Sequence, residues 1–489
     1  MKFFSLALLL SFFVSMGESA AQNYQAIHGS SYAGSLGIAN NPASILHVPY
    51  AWDITPASLQ FKQATNAFRI TKYSFLSGPG AAEIESTNGT FKRFVYANQD
   101  LRLLNARITL NSKLAIALGA NLRNYQYAST STSNWQDTTF YMGEYMKINL
   151  EHLPLSGEVR ATSWAELYAS VSHIILDKGN WLLNAGVTLK LNRTLVGGYM
   201  RTSDLHYDQV SDNNGSYYLL KSGNLQYGYS RNFDVLDTNK TNRQNKRDFL
   251  SDPSYSVGAD FGIEYIRLAP EDMEEQSAFA YQTKLGISLL DVGRNRFKYG
   301  SSSRVVVAGR AGITDTIINN KFVGVNSFDS FNDSIAGLAQ SFTELNGQFS
   351  VYMPARLVVN LDQHITQNFF INAEVTIQLS ALVNKNVIAI RDMNLAALTP
   401  RWEMKAVGVY LPIVYNTRKQ LWVGGAFKAG PVLFGTHNLA NLFAKNQTQN
   451  GGLYLAFTIR PAKMYDRATH DPGNKLSRKA MRRLNCPKF

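Results

Sequence analysis

The 489-residue sequence holds a single cysteine, Cys486, so it can build neither an intrachain disulfide nor a thiol-rich metal site. Its eight histidines are scattered, with no His-x-x-x-His pair and no carboxylate at ligand spacing. His173 and His364 therefore read as hydrogen-bonding groups at strand ends rather than as metal ligands. There is no Gly-x-Ser-x-Gly elbow, P-loop or Rossmann fingerprint, and no Ser/His/Asp set stands out. The sequence thus carries no enzyme signature and calls for no cofactor. Beyond residue 21 no apolar run is long enough to cross a bilayer as a helix, which takes about 20 residues.

What is present begins with an export pattern. Residues 1–21 join Lys2, an apolar core from Phe3 to Val14 and a small-x-small site at Ser19-Ala20-Ala21. This predicts a cleaved secretory signal that leaves Gln22 first, and the lack of a nearby cysteine argues against a lipoprotein. Aromatics are abundant, 25 Tyr and 27 Phe, and they fall mostly in alternating segments. The mean hydropathy of −0.17 looks soluble, but a membrane barrel gives the same value because half of every strand faces water.

Alternation assigns two faces to many segments. In residues 104–111, Leu104, Ala106, Ile108 and Leu110 oppose Asn105, Arg107, Thr109 and Asn111. Residues 115–123, 185–192, 255–265 and 369–379 behave alike. Period two over about ten residues is the pattern of a membrane strand with one lipid face and one wet face. Short turns at 111–113, 177–180 and 365–368 alternate with long polar stretches at 128–161, 202–252, 293–348, 381–400 and 431–451. Segregated loop length describes an all-β, transmembrane antiparallel β-barrel in an outer membrane, with the long loops outside.

Following that parity predicts strands near 101–111, 113–127, 162–176, 181–194, 254–268, 279–291, 349–364, 369–380, 401–412, 420–430 and 451–461. With 52–61 the count is twelve, and with 68–76 and 91–96 as a further pair it is fourteen, the preferred number. The expected layout is a signal at 1–21, a short partial plug at 22–50, a barrel at 51–461 and a basic tail at 462–489. The last strand opens Asn450-Gly451-Gly452-Leu453, a polar-Gly-hydrophobic pattern of the kind that barrel assembly machinery reads.

Several features now line up: the signal, Asn41-Pro42-Ala43 before the first strand, and Asp291-Val292-Gly293 ending a middle strand. Pro354 enters another strand, Gly430-Pro431 and Gly435 lie near the penultimate one, and a last strand with a tail follows. Over residues 24–460 this resembles an uncharacterised family of Bacteroidetes outer-membrane barrels, itself similar to the long-chain fatty-acid transporter (FadL) class. The resemblance implies a lumen that binds hydrophobic small molecules below an N-terminal plug. It also implies that Asn41, Pro42 and Ala43 lie where that plug meets the first strand.

Arg107, Arg123, Glu166, Lys190, Asp260, Glu264, Lys284, Arg356, Asp362, Glu374 and Lys428 all fall on the inward face of the predicted strands. Two readings are open: a pore or ligand-binding lumen, or a mixed-sign network that packs a narrow barrel. Two function classes follow, uptake or binding of a small hydrophobic ligand, and a non-transporting platform in an envelope complex. The expected surroundings are outer-membrane lipid and assembly machinery, without nucleic acid. The tail at 463–489 carries eight basic and two acidic residues, read either as a solvated tail or as a dock for periplasmic cell-wall polymer or a protein partner.

Overall fold

Leu189 is 65% exposed and its neighbour Lys190 only 6%, and this inversion of the ordinary rule runs around the whole molecule. Leu118, Leu167, Phe261, Ile287, Val375 and Phe457 face outward, while Arg123, Glu166, Asp260, Ser288, Glu374 and Thr458 are buried. The computed structural model describes residues 24–464 apart from 75, 78–81, 140, 214, 270–279, 309, 382–386 and 446–449. The expected signal and all but the first two residues of the basic tail, Cys486 included, lie outside the described residues.

Twenty hydrogen-bonded segments form one sheet. Three of them, Gly215–Tyr229, Arg304–Ala308 and Ala339–Glu344, extend it beyond one end of the wall, and three wall strands are each broken in two, so the wall has fourteen strands. They are β1 (Trp52–Thr65), β2 (Gly89–Asn111), β3 (Leu114–Trp135), β4 (Leu155–Asp177), β5 (Trp181–Asp212), β6 (Ser254–Leu268) and β7 (Tyr281–Lys298). Then come β8 (Gln348–Tyr352 and Arg356–Thr366), β9 (Phe369–Gln378), β10 (Leu395–Glu403) and β11 (Val407–Tyr410 and Ile413–Asn416). The wall ends with β12 (Leu421–Val423 and Gly425–Ala429), β13 (Val432–Thr436) and β14 (Asn450–Ile459). Each strand is antiparallel to its neighbours, and β14 pairs with β1 from Ala64↔Asn450 to Ile54↔Ile459, which closes the barrel and leaves no free edge.

Two proline effects shape the wall. The β1 register shifts between Ile54 and Ala57, where Pro56 has no N–H to give the ladder. Inward burial accordingly passes from Asp53 and Thr55 to Ser58, Gln60 and Lys62. The break in β8 contains Pro354 and that in β11 contains Pro412.

The predicted parity holds. Turns at 112–113, 178–180, 367–368, 404–406 and 430–431 share one end with both termini of the wall, as does the longer link 269–280 between β6 and β7, and the remaining connections share the other. One long-end connection departs from the pattern, since β11 and β12 join through a tight turn at 417–420.

The count of fourteen stands, but several strands differ from expectation. Phe68–Thr71 pairs with Glu83–Ser86 in a separate hairpin, and residues 91–96 continue β2. The strand expected at 401–412 is interrupted by a turn after Glu403, because Lys405 and Ala406 reverse the chain between β10 and β11. Residues 395–400 and 432–436, read as loop, are strand. The stretch 202–252 holds the upper half of β5 and Gly215–Tyr229. Such long strands exceed the ~9–11 residues a bilayer requires, and beyond the bilayer they lose the lipid-facing alternation on which the reading relied.

Candidate functional site

Residues 24–50 contain no Asp, Glu, Lys or Arg, yet all but Gly29, Tyr32, Ala39 and Ser44 are buried. They turn through three short 3-10 helices, Gln25–Ile27, Gly34–Ala39 and Pro42–Leu46. Asn41 caps the third: its backbone is extended, its side chain accepts from the Ala43 N–H at 2.9 Å, and Pro42 takes the first helical position. A proline loses nothing there, because that N–H would go unpaired anyway.

Asn41-Pro42-Ala43 rests on glycines of the wall. Gly186 of β5 pairs directly with Gly262 of β6, and Gly286 of β7 lies beside them. A Cβ on Gly186 would collide with the Pro42–Ala43 backbone, and one on Gly262 with the Asn41 side chain and the Pro42 ring. Asn41 Nδ2 donates to the Ile263 carbonyl at 3.0 Å, and Ser172 Oγ of β4 donates to the Ala43 carbonyl at 3.0 Å. The motif therefore meets β4 to β7, approaching closely where Gly186, Gly262 and Gly286 lack a Cβ, rather than β1.

The remainder of the segment answers the wall's charges without any Asp, Glu, Lys or Arg of its own. Gln25 Nε2 and the His28 ring lie 2.7 and 2.6 Å from the Glu374 carboxylate. Ser30 Oγ donates to Glu403 at 2.7 Å, and the Ser35 N–H donates to Asp53 at 2.7 Å. Cations find backbone carbonyls: Arg107 those of Ile45 and Tyr50, Arg102 that of Leu36, Arg356 that of Ala39, and Lys284 that of Gly29. Backbone, amide and hydroxyl groups can hydrogen-bond to charges of either sign without setting up a repulsion.

At the short-turn end the wall also pairs with itself. Arg401 grips Asp362 bidentately at 2.6 and 2.7 Å, with Tyr281 donating to the same carboxylate. Glu403 takes Arg401 at 3.2 Å and Lys428 at 3.1 Å. Arg107 holds Asp53 at 2.5 Å. Glu264 accepts from Asn184 at 3.5 Å.

Further from the turns, the charges converge on one residue. Asp291 receives Arg123 at 2.5 and 2.9 Å, Lys190 at 2.7 Å and Arg356 at 2.5 Å. Lys190 also reaches Asp260 at 2.7 Å, and Arg123 reaches Glu166 at 3.0 Å and Asp100 at 3.4 Å. Expectation had Asp291 ending a strand; instead β7 runs on to Lys298, and its register shifts between Leu289 and Val292. Asp291 sits at this bulge with φ +56°, which turns it inward where simple alternation would point it at lipid.

Beyond this layer the interior becomes apolar. Tyr125, Trp164, Tyr199, Phe297, Phe349, Val351, Met353 and Ile390 form a buried cluster. The Tyr125 and Trp164 rings stack at 5.6 Å, and Arg123 lies 4.9 Å over Trp164 at the boundary with the charged layer.

All eleven charged residues predicted to face inward are buried. They separate into the two ionic layers and are not brought to one point. Sequence reasoning missed Asp53, Asp100, Asp291, Arg401 and Glu403. Asp53 alternates with Trp52 and Ile54 and was legible, whereas Asp100 shares parity with outward Leu104 and faces inward through the register shift between Arg102 and Asn105. Arg401 and Glu403 fell at the start of a strand drawn one hairpin too long, and Asp291 was hidden by its bulge. Among the described residues no cluster of three or more His, Cys, Asp or Glu could hold a metal ion.

Residues 65–437 match the profile of a family described as a family of unknown function (DUF5723). No curated protein sequence matches. The fold is similar to that of a Pseudomonas aeruginosa FadL homologue, at 12% identity over 91% of this chain and 98% of the other, with a TM-score of 0.41. It is also similar to the Pseudomonas putida toluene transporter TodX, at 10% identity over 91% and 95% of the two chains, with a TM-score of 0.37.

Proposed function

This chain belongs to the DUF5723 family of unknown function, and we propose that it is an outer-membrane channel protein that binds or passively admits a small hydrophobic ligand. The outward belt of Leu, Ile, Val and Phe supports the membrane setting, with the short-turn end in the periplasm and the long-loop end outside. The observation that carries the ligand is the apolar interior layer. Lipid requires apolar side chains only on the outer face, so Trp164, Phe297, Phe349 and Met353 on the inner face need another occupant or purpose. Residues 24–50 act as the plug of this channel at its periplasmic end. The tail at 463–489 extends from β14 and docks on an acidic cell-wall polymer or protein; truncation after Arg460 should leave an assembled barrel and lower its low-salt pull-down.

The test is uptake of a small apolar solute into vesicles with a lipopolysaccharide outer leaflet, with and without the protein. Uptake should rise with the protein, should not rise for a polar solute of the same size, and should fall with Phe349→Asp. Equal rates with and without protein would overturn the reading. They would favour the platform class, which one observation supports: every predicted inward charge is buried, and the ionic layers fill the short-turn half of the barrel.

A further inference from the structure

The barrel interior is closed a second time, from the opposite end. The connection between β9 and β10 folds inward, and Ala389, Ile390 and Met393 are 2, 0 and 2% exposed. The backbone of residues 387–394 crosses from β8 toward β1 and β2 with little regular structure. On one side the Tyr352 N–H donates to the Ile388 carbonyl at 2.8 Å, the Ile390 N–H donates to the Tyr352 carbonyl at 3.1 Å, and Arg160 of β4 donates to the Ala389 carbonyl at 2.6 Å. On the other, Asp392 accepts from Lys62 at 3.2 Å and from Asn98 at 2.6 Å. Lys62 and Asn98 are directly paired across β1 and β2, so they offer one fixed site to one carboxylate. Arg391 lies 3.5 Å from Glu158, near Arg160.

We infer that residues 387–394 are a displaceable strap that covers the apolar cluster of the barrel interior from the long-loop end, latched by Asp392 on Lys62 and Asn98. The strap places Ile390 within the same aromatic cluster as Trp164, Phe297 and Phe349, so it covers side chains that an apolar ligand would contact once it leaves. It is held by the Asp392 carboxylate, by Arg160 and Tyr352 on its backbone, by Asn394 between Gln378 and Thr417, and by burial of Ile390 and Met393, and neither it nor its partners on β1 and β2 belong to the layers held by residues 24–50. Entry from the long-loop side requires the strap to leave, and this barrier is independent of the one at the short-turn end.

This inference rests on the channel reading for its purpose, but its test measures only the barrier. Val351 lies in the same apolar cluster and is fully buried, and Val351→Cys conserves its apolar character and approximate size. In the full chain carrying Cys486→Ser, Val351→Cys should react slowly with a bulky water-soluble maleimide. Adding Asp392→Asn should speed labelling about ten-fold or more, the factor for one lost charge-assisted hydrogen bond. The exchange Lys62→Asp with Asp392→Lys should restore slow labelling, whereas Asn41→Ala should leave it unchanged. If a variant fails to assemble, as judged by gel mobility before heating, Asn98→Ala replaces it and should give a smaller increase. Fast labelling of the parent, or no response to either latch variant, would overturn the strap. Slow solute uptake alongside latch-dependent labelling would overturn the channel reading and leave the strap standing.

Discussion

The two closures of the barrel are built on opposite principles. Residues 24–50 hold no Asp, Glu, Lys or Arg and meet charged partners on β1, β2, β7, β8, β9, β10 and the segment after β14, so those inward charges depend on them for hydrogen-bond partners. Residues 387–394 carry their own charges, Arg391 and Asp392, and contribute little to pairing the rest of the wall. The first closure is therefore part of the folded core, while the second can leave and be replaced by water at the long-loop end. A segment that hydrogen-bonds to buried charges cannot depart without leaving them short of partners, and each lost bond costs about 1.5–3 kcal/mol.

The sharpest test is deletion of residues 24–50. It takes Gln25 and His28 from Glu374, Ser30 from Glu403, the Ser35 N–H from Asp53 and two carbonyls from Arg107, at about 1.5–3 kcal/mol for each lost bond to a buried charge. The expected outcome is loss of the fast-migrating unheated species in gels. An assembled, equally heat-stable barrel would show that the segment is as dispensable as the strap.

Asp291→Asn should have the next largest effect, because Arg123, Lys190 and Arg356 then lose their shared anion. A loss of roughly 3–5 kcal/mol is expected, read as a lower temperature for the gel-mobility transition. Glu is not a simple rescue, since the left-handed backbone at this bulge holds the carboxylate at one reach.

Gly262→Ala should destabilise by about 1–3 kcal/mol through overpacking against Asn41 and Pro42. Combined with Asn41→Ala, the two losses should be less than additive, because removing the Asn41 side chain relieves the collision. Full additivity would place the collision elsewhere. Asp392→Asn should cost only about 1 kcal/mol of barrel stability despite its effect on labelling, since Lys62 regains water when the strap leaves. A loss as large as that of Asp291→Asn would erase the contrast between the two closures. Arg69→Gln, which breaks an exposed pair with Glu85 on the outlying hairpin, should leave the transition unmoved.

The sequence by itself determined the barrel. Period-two alternation with apolar residues on one side and charge on the other has one stable solution when no edge can face lipid, and loop-length parity set both the even count and the placement of the termini. It also determined that Arg107, Arg123, Glu166, Lys190 and the others would face inward. What the sequence did not display were the breaks in alternation, the Asp291 bulge and the hairpin at 404–406, because a single residue inserted or turned back flips every later side chain. Partner choice was equally hidden. Asp291 meets Arg123 at a separation of 168 residues and Asp392 meets Asn98 at 294. Period two reports which face a side chain takes, whereas its height in the barrel depends on strand stagger and closure, and only the tertiary structure sets those.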